Sequence, residues 1–206
     1  EFDIKDTPND NIVANIVFDG PDTLYLSQRG GLTGSYDYSI FAKLEKPVVR
    51  RYTRNGGDTR WSEEVGEFAV GFKLPHRSTL GGLALSYGYD ANGTIDYGKC
   101  RETLWTTGEH LRERGEEARD DKDGARAVHG LQATSKSNVR PANAPPYQTW
   151  FVDNDGQFED ADFYSRVGDI AIYDPCDELP VAEVAPPLSP PPAPLPHSGV
   201  WISKVC

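Results

Sequence analysis

The stretch PVVRRYTRNGGDTRWSEEVGEFAVGFKL, residues 47–74, decides the fold. Pro47 to Arg54 and Arg60 to Val65 flank Asn55-Gly56-Gly57-Asp58, and Asn and Gly tolerate the positive φ that a tight hairpin demands. A β-hairpin is therefore expected here. Just beyond it, Glu67 to Leu74 sets Phe68, Val70, Phe72 and Leu74 at every second position, which in an extended chain is one face. Leu83 to Tyr89 repeats the pattern with Leu83, Leu85, Tyr87 and Tyr89, and these eight side chains are the expected core.

Working outward, the same period of two recurs between Gly, Pro and Asn punctuation. Asn11 to Phe18 is apolar on both faces and reads as a buried strand. Thr23 to Ser27 carries Leu24 and Leu26 on one face and Tyr25 on the other. Ser35 to Leu44 sets Tyr36, Tyr38, Ile40 and Ala42 opposite Asp37, Ser39, Phe41 and Lys43. Downstream, Asp90-Ala91-Asn92-Gly93 reads as a turn into Thr94 to Lys99. Tyr147 to Asp153 and Val167 to Tyr173 read as further strands. The sequence thus predicts an all-β fold, an antiparallel β-sandwich or jelly roll over residues 1–179.

Two segments depart from this pattern. Glu109 to Arg126 is dense in mixed charge, with Leu104, Trp105, Leu111 and Ala118 as its few inward candidates, so residues 107–146 are expected to form a charged helical or loop insertion with Thr107 as a helix N-cap. Prolines cluster between Pro175 and Pro196, and proline has no N–H for a ladder, so residues 180–198 form a Pro-rich C-terminal segment. Its core, Leu188-Ser189-Pro190-Pro191-Pro192-Ala193-Pro194, resembles in composition the linkers of extracellular hydroxyproline-rich glycoproteins and of modular wall enzymes, which implies an extracellular or cell-wall context. Residues 199–206 resume alternation through Val200, Ile202 and Val205, as a terminal strand or the start of a further segment.

Charge narrows the partners. The 206 residues carry 21 Lys+Arg against 32 Asp+Glu, a net charge of -11, so a surface built to neutralise nucleic-acid phosphates is not expected. No apolar run approaches the roughly 18 residues that span a bilayer. With no Met, Glu1-Phe2 is expected to be a processed mature end or an expression remnant. Three Cys and the sequon Asn92-Gly93-Thr94 fit a secreted, extracellular or cell-wall location, with Asn92 as the glycosylation site at a turn tip. Cys100 and Cys176 lie in the folded portion and are the favoured disulfide pair; the odd cysteine, Cys206, is available for an intermolecular bridge.

The best-defined local signal is Asp153-Asn154-Asp155-Gly156-Gln157-Phe158-Glu159-Asp160-Ala161-Asp162, which resembles part of an EF-hand or dockerin-type calcium loop. The resemblance implies Ca2+ held by Asp153, Asp155 and Asp162, with Gly156 at the sharp turn and Phe158 as anchor. It departs from the pattern at the first place, which falls on Phe151. With four His and no C-x-x-C, a closed zinc site is not expected.

For chemistry on sugars, Trp61 stands beside Glu63, Glu64 and Glu67, and an indole face stacks on pyranose C–H groups. A lyase needs a base and cations to neutralise a uronate, types that His76, Arg77, Arg50, Arg51, Tyr52 and Tyr38 supply. Cross-strand pairing of Arg50 or Arg51 with Glu63 or Glu64 explains the same charges structurally. No G-x-S-x-G, H-E-x-x-H, P-loop or dinucleotide glycine signature occurs. Tyr36, Tyr38, Tyr87 and Tyr89 supply a candidate aromatic platform on one sheet layer. The sequence thus favours an extracellular carbohydrate- or surface-binding module, stabilised by calcium, with Trp61, His76 and Tyr87 against the ligand and a glycan or an extracellular protein as partner. The alternatives are a secreted polysaccharide lyase or hydrolase and a structural cell-wall or filament component.

Overall fold

The computed structural model describes residues 12–29, 47–113, 127–154, 167–173, 176 and 201–204. The strands are β1 (Ile12–Phe18), β2 (Thr23–Arg29), β3 (Val48–Thr53), β4 (Ser62–Phe68), β5 (Thr79–Ser86), β6 (Gly88–Tyr89), β7 (Ile95–Asp96), β8 (Thr103–Glu113), β9 (Ala127–Ser135), β10 (Thr149–Asp153), β11 (Val167–Ala171) and β12 (Trp201–Lys204). They form a first sheet β1-β2-β3-β4, a second sheet β10-β9-β8-β5, and two ribbons, β11-β12 and β6-β7. Among the described residues every strand pairing is antiparallel and there is no α-helix.

Alternation explains the packing. Residues directly opposite on paired strands point to the same side, so Leu83, Thr106, Gln132 and Phe151 share the inner face of the second sheet. That face packs on the first sheet, and Tyr25, Val49, Phe68, Val70, Leu83, Leu85, Leu104, Leu111 and Val128 form the principal core. The next residue along each strand faces outward, giving the row Ala84, Trp105, Ala133 and Trp150. Strand β11 covers one half of this outer face, where Val167 and Ile170 pack on Ala84, Trp105, Leu131 and Ala133. The arrangement is therefore two sheets with a third, partial layer.

Polar ties hold the edges. Asn15 of β1 donates from Nδ2 to Asp169 Oδ1 of β11 at 2.9 Å and to the Leu83 carbonyl of β5 at 3.4 Å, linking all three layers. Cys100, just before β8, is disulfide-bonded to Cys176, beyond β11. On the opposite edge the Arg140 N–H donates to the Glu67 carbonyl at 2.8 Å, and the Glu67 carboxylate accepts two bonds of 2.7 Å from Arg77 and one of 3.0 Å from Arg140.

Four expectations are corrected. Among the described residues β1 has only β2 beside it in the sheet, and Ile12, Val13, Ile16 and Phe18 are exposed rather than buried. The strand expected over Glu67 to Leu74 stops at Phe68: Gly71 takes φ 78°, the chain turns away, and Leu74 is exposed. The strand expected over Thr94 to Lys99 is only the two-residue β7. The insertion expected over 107–146 is entered by sheet, β8 reaching to Glu113 and β9 running from Ala127 to Ser135. Thr107 is no helix cap; it is buried in β8, its Oγ1 accepting from the Gly82 N–H at 2.9 Å. Residues 114–126, the strand expected at Ser35 to Leu44 and the Pro-rich segment lie outside the described residues.

Candidate functional site

The outer face of the second sheet is asymmetric. Across it the register runs Trp150, Ala133, Trp105, Ala84, large and small in alternation. The small Ala133 leaves a depression between two indoles, and Tyr89 of the β6-β7 ribbon occupies it: its ring centroid lies 5.3 Å from that of Trp150 and 6.5 Å from that of Trp105. Trp105 is buried under this ring and under β11, and its Nε1 donates to Ser86 Oγ at 2.9 Å. Trp150 is 48% exposed, with Val152 on the same side of β10 also exposed.

The sheet makes this surface rigid. Trp150 and Val152 belong to a strand paired in register from Thr149 to Asp153 with β9. The loop leading into β10 is pinned where Thr149 Oγ1 donates to the Pro146 carbonyl at 2.7 Å. Gly130, at φ 154°, lets the backbones close up, since a Cβ there would stand 2.4 Å from the Val152 carbonyl oxygen. An indole packed at a tilt against a tyrosine and supported by a paired strand loses little side-chain entropy when a flat apolar surface docks on it.

The residues expected to touch ligand do not converge. Trp61 lies on the outer face of the first sheet over Leu24, Leu26 and Tyr52, where the Arg54 guanidinium sits 4.9 Å from its ring centroid and Phe18 meets it edge-on. One indole face is thus already occupied by a cation. His76 is buried at φ 66°, and its Nδ1 donates to the Gly71 carbonyl at 3.0 Å, so it closes the 71–76 turn. Tyr87 is buried against Tyr97, at 5.1 Å between centroids. The arginines offered for uronate recognition are paired: Arg50 with Glu63 at 3.1 Å, Arg51 with both oxygens of Glu64, Arg77 with Glu67. Tyr52 is buried, and Tyr36 and Tyr38 lie outside the described residues.

The other expected sites divide similarly. Asn92 is exposed at a turn in which Asp90 Oδ1 accepts from the N–H groups of Asn92 and Thr94. Asp153 ends β10 opposite Gly130, while Asp155 and Asp162 lie outside the described residues; among the described residues no group of three or more His, Cys, Asp or Glu is placed to hold a metal. Among the described residues no helix is long and apolar enough to cross a membrane. Comparison with protein-family models, with curated proteins and with solved structures found no match.

Sequence reasoning missed the Trp150 surface. The signal was the run Thr149-Trp150-Phe151-Val152-Asp153, which alternates as a strand does. Which of its faces is outward depends on the pairing of Trp150 with Ala133, and that register is not written in the run itself.

Proposed function

We propose that the protein is an extracellular carbohydrate- or surface-binding β-sandwich module whose ligand docks on the open half of the second sheet, with Trp150 as the stacking ring and Tyr89 and Val152 beside it. The observation that carries this reading is the half-exposed Trp150, fixed by Tyr89 at 5.3 Å on a paired strand. Indole surface left open on a rigid sheet offers a preformed partner for the C–H face of a sugar ring at little ordering cost. The disulfide between Cys100 and Cys176 supports an oxidising, extracellular setting, in which Asn92 at its exposed turn is available for glycosylation. The catalytic alternative draws less support, because Arg50, Arg51 and Arg77 already neutralise Glu63, Glu64 and Glu67.

The test is co-sedimentation of the purified protein with a panel of insoluble neutral polysaccharides, with reducing and unsaturated ends measured in the same tubes. Retention without new ends supports a binding module. New ends move the account to an enzyme, and no retention on any member removes the glycan reading.

A further inference from the structure

A second surface, formed by other residues, is built at the end of the inner face. The Phe72 ring packs edge-on against Tyr147 at 5.4 Å and against Phe151 at 6.0 Å between centroids. Phe72 and Phe151 are half-buried, whereas Tyr147 is 71% and Leu74 74% exposed, so the cluster presents apolar and aromatic area to solvent. The Phe72 N–H donates to the Leu111 carbonyl at 3.0 Å, which brings the 71–74 segment alongside the end of β8. Lys73 and Arg112 each follow one residue beyond that bridge, and both side chains are exposed.

Acidic groups outnumber basic ones by 32 to 21, so a cation finds a carboxylate easily. Arg50, Arg51, Arg54, Arg77, Lys99, Lys136 and Arg140 all do. Among the described residues the Lys73 ammonium and the Arg112 guanidinium have no carboxylate partner, and they follow directly on Phe72 and Leu111, the two residues of the bridge beside the exposed Tyr147 and Leu74. Two cations without a carboxylate partner among the described residues, on the segments that meet at the Phe72–Tyr147 cluster, match a ligand that alternates carboxylates with apolar ring faces.

We infer that Lys73, Arg112 and Tyr147 form a contact site for an acidic polysaccharide, the cations meeting uronate carboxylates and the phenol ring stacking on the sugar. The inference rests on the extracellular glycan-binding reading but uses none of the Trp150 surface. The overall charge of -11 does not forbid it, because at physiological ionic strength exposed charges beyond about 8 Å are largely screened and the local pair dominates.

The experiment measures binding of the whole chain to polygalacturonate and to the same polymer fully methyl-esterified, at physiological ionic strength. Polygalacturonate is expected to bind and the ester not to. Lys73→Glu with Arg112→Glu weakens binding by about tenfold or more, since charge-assisted bonds are being lost. Its thermal unfolding stays at the wild-type temperature because both side chains are exposed, and Trp150→Ala leaves polygalacturonate binding intact. Equal binding of the ester, equal binding of polyglutamate, or a double variant that binds as well as wild type overturns the inference. Loss of neutral-polysaccharide binding in Trp150→Ala, with polygalacturonate unaffected by Lys73→Glu and Arg112→Glu, sinks this site while leaving the first standing.

Discussion

Tyr89 and Trp150 come from different sheets, yet their ring centroids lie 5.3 Å apart at 48°, with Ala133 beneath them and Trp105 on the far side. The two indoles of one row therefore have different duties. Trp105 is 8% exposed and fills the space under β11, so Trp105→Ala is expected to cost about 3–5 kcal/mol in stability. Trp150→Ala, at the open end, removes a half-exposed ring and is expected to cost about 1 kcal/mol. Denaturant unfolding of both variants checks this, and equal losses would contradict the assignment of Trp150 to surface rather than core.

Gly130 couples the sheet to the candidate site. A Cβ at this residue meets the Val152 carbonyl oxygen at 2.4 Å, and φ 154° is itself unfavourable for a side chain. Gly130→Ala is expected to destabilise by about 1–3 kcal/mol and to displace β10, so ligand affinity falls together with stability. A variant with wild-type unfolding and wild-type affinity would show that β10 is not held by this close approach.

The disulfide between Cys100 and Cys176 closes a separation of 76 residues and fastens the chain after β11 to the start of β8. Chain entropy gives such a link about 4 kcal/mol. Cys100→Ser with Cys176→Ser is expected to lower the denaturation midpoint accordingly and to increase exposure of Trp105, because the covering strand then depends on packing and on the bond from Asn15 to Asp169. Unfolding curves with and without reductant, read by tryptophan fluorescence, test it; coincident curves would contradict it.

Alkaline stability follows from two buried phenols. Burial pushes the Tyr25 pKa above its ordinary value near 10, helped by the Asp19 charge and opposed by the hydrogen bond with Arg51. Burial likewise raises Tyr52, with the Glu63 carboxylate adding to it. A group whose folded pKa is raised gives stability that is complete below the unfolded value and is lost as pH rises through the folded one. Stability is therefore expected to fall from about pH 10 upward, and less steeply in Tyr25→Phe with Tyr52→Phe. Denaturant titrations from about pH 8 to 11 measure it, and identical alkaline slopes would exclude these tyrosines.

The parts of the fold legible in the sequence were those set by local period and turn chemistry. The β3-β4 hairpin, with Asp58 N–H to the Asn55 carbonyl at 2.8 Å and Gly57 at φ 93°, follows from Asn55-Gly56-Gly57-Asp58. The pairing of Arg50 and Arg51 with Glu63 and Glu64, and the bridge from Cys100 to Cys176, were also within reach. What a sequence hides is which layer lies above a given face. Trp61 and His76 have the right chemistry but spend it on Arg54 and on the Gly71 carbonyl, and β8 was masked by the charge that follows it. Trp150 gained its role from a neighbour on β9 and a ring on β6, both remote in the chain.

The most direct test of the account is the fraction of protein retained on an insoluble neutral polysaccharide that binds wild type, measured side by side for Trp150→Ala and Trp61→Ala. The account predicts that retention collapses for Trp150→Ala while its unfolding stays near wild type, and that Trp61→Ala, whose ring is engaged with Arg54, keeps binding. Retention of Trp150→Ala at the wild-type level, or its loss only in Trp61→Ala, would contradict the placement of the ligand on the second sheet.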